Sequence, residues 1–236
     1  MSPEFLGDLR WAALQFIALV LCVSLHEFGH AWAADRRGDP LPRAEGRVTL
    51  NPLAHIDPLG TLAIPALMIF LPVFVGGLPF ALIGWGKPVR ISLPNPKTRR
   101  ADEILITLAG PGMNLLLALA SALALGGLFA AAPSGTPVSV HEFFLLLVVL
   151  NSGLAVFNMI PIPPLDGSHL LRHAVGMSEE TFAKIARNAW WIFLLAINLP
   201  PERPVFSMIF GPIVRAVATA FLTLSDFIGG ASSAPL

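Results

Sequence analysis

Charge is scarce in this sequence: of 236 residues only 13% are Asp, Glu, Lys or Arg, against 55% that are hydrophobic. With a mean hydropathy of +0.71, the apolar surface exceeds what one water-soluble core hides. This excludes an ordinary soluble domain and leaves a polytopic membrane protein. Basic and acidic groups balance at 15 each, so no net positive surface argues for nucleic acid as a partner. The lone cysteine, Cys22, excludes an internal disulfide framework. A positively charged leader is missing too: ahead of Trp11 stand Glu4 and Asp8 against Arg10. The apolar run that follows holds three ionisable residues, so Ala31–Ala34 is read as part of a retained span, not as a signal-peptide cleavage site. Proline, in contrast, is plentiful at 22 residues. That abundance predicts broken helices at membrane depth, which are tolerated where protein or a water-filled cavity surrounds them.

In chain order, residues 10–33 are about 24 mostly apolar positions, enough for one crossing at roughly 20 residues. A polar loop follows, with a short strand expected at 47–50 between Gly46 and the Asn51-Pro52 turn. Residues 59–86 are apolar but interrupted by Pro65, Pro72 and Pro79, so they form either one kinked span or a re-entrant pair of short helices turning near Pro72. A second short strand is expected at 89–93. Spans follow at 103–132 and 141–160, separated by a polar break at 133–137. Residues 168–184 read as an amphipathic, water-facing segment, and C-terminal helices are expected within about 185–230, divided by a proline-rich break at 200–204. The reading is one α-helical membrane domain over 1–236, with five or six membrane segments and short β-strands near one face. Lys and Arg number four in 36–47, five in 87–100 and three in 172–187, and the 133–140 loop has none. The excess places all three basic loops in the cytoplasm of an inner (plasma) membrane. The loops flanking 59–86 share a side only if that segment re-enters, so charge favours the hairpin.

The chemistry lies in the first span. His26 and His30 are four residues apart, so on a helix they share a face and can grip one metal ion. Glu27 beside them is the residue type that takes a proton from an attacking water. A catalytic zinc site needs a third protein ligand, and His55, His141, His169, His173 and the carboxylates are available. Asp166 is preferred, because it follows a span that returns it to the depth of His26 and His30. It also sits in backbone loosened by Pro161, Pro163 and Pro164, and an aspartate at that depth needs a partner or a function.

His26-Glu27-Phe-Gly-His30, Asn51-Pro…His55-x-Asp57-Pro, Gly86-Lys-Pro-Val, Ala109-Gly-Pro-x-x-Asn114 and Asn158-x-x-Pro-x-Pro-x-Leu-Asp166-Gly167 occur here in order. Together they resemble the site-2 protease family of intramembrane zinc metalloproteases, over about residues 20–170. The resemblance implies one zinc ion held by His26, His30 and Asp166, with Glu27 as general base and Asn158 holding the substrate strand or the oxyanion. It implies single-pass membrane proteins as substrates, met within the lipid bilayer. No insertion of the size of a PDZ domain is visible and no C-terminal regulatory domain follows, so the small form of the family is expected.

Other residues have blander readings. Gly110, Gly112 and Asn114 are read as a close helix-packing site without chemistry. His169 and His173 repeat the four-residue spacing but read as a surface helix rather than a second metal site. His55 and Asp57 are explained by turn chemistry as well as by proximity to the site, and Cys22 reads as a small packed residue. Two functional classes compete with proteolysis: a catalytically silent binder of membrane clients, and an ion or proton transporter. Intact Glu27 and Asp166 weigh against the first, and the absence of repeated halves against the second.

Overall fold

The computed structural model describes residues 2–76, 84–132, 137–198 and 205–230, with the side chains of 190–198 and 205–207 left aside. Residues 77–83 of the expected hairpin and the breaks at 133–136 and 200–204 lie outside the described residues. Eight α-helices run in the order α1 Pro3–Arg36, α2 Leu41–Ala44, α3 Ile64–Val75, α4 Arg99–Ala131, α5 Val138–Asn158, α6 Gly167–Ala174, α7 Glu179–Asn198 and α8 Val205–Gly229 among the described residues.

Among the described residues five segments are long and apolar enough to cross a membrane: Pro3–Arg36, Pro58–Val75, Arg99–Ala131, Val138–Asn158 and Met208–Gly229. The short apolar stretch within α7 is not one of them. The packing is that of helices in lipid, where small and polar residues let backbones approach and large apolar ones face outward. Ala18, Ala34, Ala118 and Ala122 are fully buried, as are Asn114 and Asn151, while Phe74, Leu116 and Phe227 are exposed. The helix α4 is the hub, packed against α1, α5 and α8. Gly29 and Gly110 set the α1–α4 approach. A Cβ on Gly29 would lie 2.5 Å from the Ala109 carbonyl oxygen, and one on Gly110 would run into the rings of His30 and His26. Gly112 faces open space and takes no part.

Two expectations are corrected. Among the described residues there is no β-strand: 47–50 is irregular chain with bends at 48–50, and the chain from 84 to 95 is neither helix nor sheet. The β-branched residues there find no neighbouring strand, and other groups take their backbone partners. Ser92 N–H and Leu93 N–H donate to the buried Asp39 carboxylate, and Thr49 O accepts from His55 Nε2–H. In addition, α3 runs through Pro72 and ends at Gly76, whose φ of 89° suits glycine, so no turn occurs at Pro72. The ends of the 59–86 stretch nevertheless meet. Trp85 N–H donates to Gly60 O, and Lys87 N–H donates to His55 O. The chain therefore comes back to the place where it entered.

Candidate metal centre

His26 and His30 lie on α1 about 15 and 9 Å before its C-terminal end, taking 1.5 Å per residue. Their Nε2 atoms are 3.1 Å apart. Asp166 Oδ2 lies 3.2 Å from His26 Nε2 and 3.4 Å from His30 Nε2. Among the described residues this is the one cluster of three His, Cys, Asp or Glu groups arranged to hold a metal. Three ligands about 2.05 Å from a tetrahedral zinc stand roughly 3.3 Å from one another, so the triangle has the right size. Asp166 Oδ2 is buried and has no hydrogen-bond partner, as an oxygen reserved for a cation would be.

Local sequence explains how Asp166 gets there. It precedes α6 at the N-cap position, where Asp ordinarily bonds the helix's own amides, yet it makes no such bond. The carboxylate turns to the histidines instead. Gly167 allows the chain to close, because a Cβ there would collide with the Met159 and Ile160 carbonyls.

Each histidine is held from behind. His30 Nδ1–H donates to Ile106 O at 2.7 Å. A carbonyl can only accept, so that nitrogen carries the proton and Nε2 keeps its lone pair for a metal. His26 Nδ1 lies 2.7 Å from Asn114 Oδ1. The orientation of that amide follows from its other bonds, because Asn114 Nδ2 donates to Cys22 O and to Asn151 Oδ1. Asn151 Nδ2 in turn donates to Leu147 O and approaches Cys22 Sγ. Two backbone carbonyls thus orient both amides, and His26 Nδ1 must be the donor. Asn114 was expected only to pack; it is the residue that orients His26. An asparagine deep in an apolar span was the available signal, since polar groups at that depth need partners.

Glu27 packs against Gly86, where a Cβ would lie 2.5 Å from its Cγ, and its Oε2 is 4.0 Å from Arg47 Nη2. Asn158 ends α5 and its Nδ2 donates to Leu154 O at 3.0 Å, so its amide nitrogen is engaged with its own helix. His55 is buried, with Nε2–H bonded to Thr49 O and Nδ1 unpartnered. Burial pushes its imidazole below the ordinary value, so it is neutral near pH 7. Asn51 and Asp57 cap the turns that follow them. His169 and His173 gather with Arg172 on Glu103 of α4, a polar cluster around the Arg172–Glu103 ion pair that docks α6. Cys22 packs with Ala18 and Leu147. Arg47, which the sequence reading counted only toward loop charge, is 2% exposed. Burial lowers its pKa and Glu27 and Glu45 raise it, and an arginine in such a setting stays charged.

The sequence pattern of Peptidase family M50 matches residues 14–137 and 120–199 of this chain. The chain is 29% identical over 215 residues to the Bacillus subtilis protein named "Putative zinc metalloprotease YwhC", covering 90% of each. It is 32% identical over 204 residues to the Mycobacterium tuberculosis protein named "Putative zinc metalloprotease Rip2", covering 85% of this chain and 73% of that one. No solved structure matches it. With the family pattern spanning the metal triangle from His26 to Asp166, this chain belongs to peptidase family M50.

Proposed function

We propose that this protein is a zinc-dependent intramembrane endopeptidase that cuts single-pass membrane proteins in or near their membrane segments. The observation that carries the reading is the triangle of His26, His30 and Asp166, with edges of 3.1, 3.2 and 3.4 Å, at the end of an apolar helix. Those three residues would hold one zinc ion per chain. Zinc, when bound, supplies Lewis-acid polarisation of a water and of the scissile carbonyl.

The chain's own residues do the rest. Ile106 O and Asn114 keep both Nδ1 protons in place, so neither histidine can present the wrong nitrogen. Glu27 takes the proton of the attacking water and passes it to the leaving amine. Asn158 turns from Leu154 O to the oxyanion or to the substrate strand. A helical substrate must unwind to expose its carbonyls, and the non-helical backbone around Gly86, against which Glu27 packs, is a place for an extended strand to join. Trp85 and Lys87 both bond toward 55–61 through their N–H groups. In extended chain the groups of Gly86 between them face the opposite way, toward the substrate. The excess of Lys and Arg in the three basic loops supports a site that faces the cytoplasm of the inner membrane.

Purified protein in detergent should carry one zinc per chain. Asp166→Ala should lose it, and Glu27→Gln should keep it while hydrolysing a labelled membrane-segment peptide at least about 100-fold more slowly. Full hydrolysis by Glu27→Gln, or undiminished zinc in Asp166→Ala, would refute the reading.

A further inference from the structure

Arg47 is kept where an arginine is costly. Its side chain is 2% exposed, and its Nε and Nη1 are buried without a hydrogen-bond partner. An apolar side chain of similar volume fills such a space as well or better, so packing alone does not account for the charge. What distinguishes the position is Nη2. This one nitrogen donates to Lys87 O and lies 4.0 Å from Glu27 Oε2.

The backbone N–H and C=O of Lys87 are both held by the loop that carries Arg47. Lys87 N–H donates to His55 O, and Lys87 O accepts from Arg47. Two residues earlier, Trp85 N–H donates to Gly60 O and Trp85 O accepts from Thr61 Oγ1. Gly86, between them, is the residue against which Glu27 packs. Removing the guanidinium therefore frees the carbonyl end of this segment and the carboxylate of Glu27 together.

We propose that Arg47 is a positioning residue that ties the Glu27 carboxylate to the 84–87 segment, so that base and substrate-binding backbone are set in one register. The proposal rests on the proteolytic reading above. Its structural half, the clamp on Lys87, holds independently of it.

The test uses full-length protein in detergent, fluorescein-labelled β-casein as an unfolded substrate, zinc content, and amide hydrogen exchange. Arg47→Gln retains one zinc per chain, exchanges the amides of 85–87 at least tenfold faster with α4 unchanged, and both lowers kcat at least tenfold and raises KM. A residue that only held the fold together would lower zinc content and kcat in proportion and leave KM alone. Arg47→Lys, which keeps a donor and the charge, recovers at least threefold of the lost kcat. Glu27→Gln lowers kcat without changing exchange at 85–87. The proposal is overturned if Arg47→Gln leaves kcat and KM within twofold of wild type. Unchanged exchange at 85–87 overturns it too, as does accelerated exchange spread through α1 and α4 with loss of zinc. Wild-type protein without zinc or casein cleavage would sink the proteolytic reading instead, and the exchange result for Arg47→Gln would still decide the clamp.

Discussion

Replacing Asn114 by leucine removes the acceptor for His26 Nδ1–H, a 2.7 Å bond, while keeping the volume and apolar character of the site. Outer-shell partners of metal-bound histidines are typically worth 10–100-fold in metal affinity, or about 1.4–2.7 kcal/mol. The leucine also removes the donors to Cys22 O and Asn151 Oδ1. Hydrogen bonds between membrane helices average about 0.6 kcal/mol each, so the fold loses roughly 1 kcal/mol from these two. That is small against the 5–15 kcal/mol typical of a folded domain, and Asn114→Leu should remain folded with its weakened metal site readable. Competition with a chromophoric zinc chelator measures the affinity, and circular dichroism checks helix content. Asn151→Leu acts on His26 only through Asn114 and should weaken zinc less. An affinity for Asn114→Leu within threefold of wild type would refute the orienting role, and a larger loss in Asn151→Leu would reverse the order of the chain.

Other perturbations follow from the same geometry. Gly86→Ala places a methyl 2.5 Å from Glu27 Cγ and 2.9 Å from its Oε1; displacement of the base by about 1 Å should lower hydrolysis on the order of 100-fold with zinc content unchanged. Gly110→Ala drives a methyl into both histidine rings and should lower zinc content itself, which separates it from Gly86→Ala in one metal assay. The Asp39 carboxyl is pushed up by burial, but bonds from Ser92 Oγ–H, Leu41 N–H, Ser92 N–H and Leu93 N–H outweigh this and hold it below its ordinary value of 3.8. A depressed carboxylate pKa contributes stability above the unfolded value and loses it as pH falls through the folded one. The segment at 91–93 should therefore resist proteolysis above about pH 4 and loosen below it. Asp39→Asn should be cut there at all pH values, and a pH-independent wild type would contradict the assignment.

Much of the site was legible because it is local. Four-residue spacing puts His26 and His30 on one helical face whatever the rest of the chain does, and apolar length marks the spans before any packing is known. Asp166 stood out by its depth after the preceding span, by the prolines that loosen the backbone before it, and by the cost of an aspartate at that depth. The strands at 47–50 and 89–93 failed for a corresponding reason: β-branched composition is a local signal, but a strand exists only if another strand supplies its ladder. Here the Asp39 carboxylate and His55 take those partners.

The sequence by itself determined that this is a helical membrane protein with His26 and His30 on one face of the first span and Glu27 beside them, because helix period and hydropathy are properties of neighbouring residues. Tertiary structure alone decided what orients them. Asn114 is 88 positions from His26, Ile106 is 76 from His30 and Asn151 is 129 from Cys22. Whether an amide faces a histidine or a packed helix depends on which faces of α1, α4 and α5 meet. Arg47 likewise reads as one more loop charge until the fold brings it to Lys87 and Glu27. The spacing of His26 and His30 is a local pattern. The approach of Asp166 and the hydrogen bonds that orient both rings are written only in the packing.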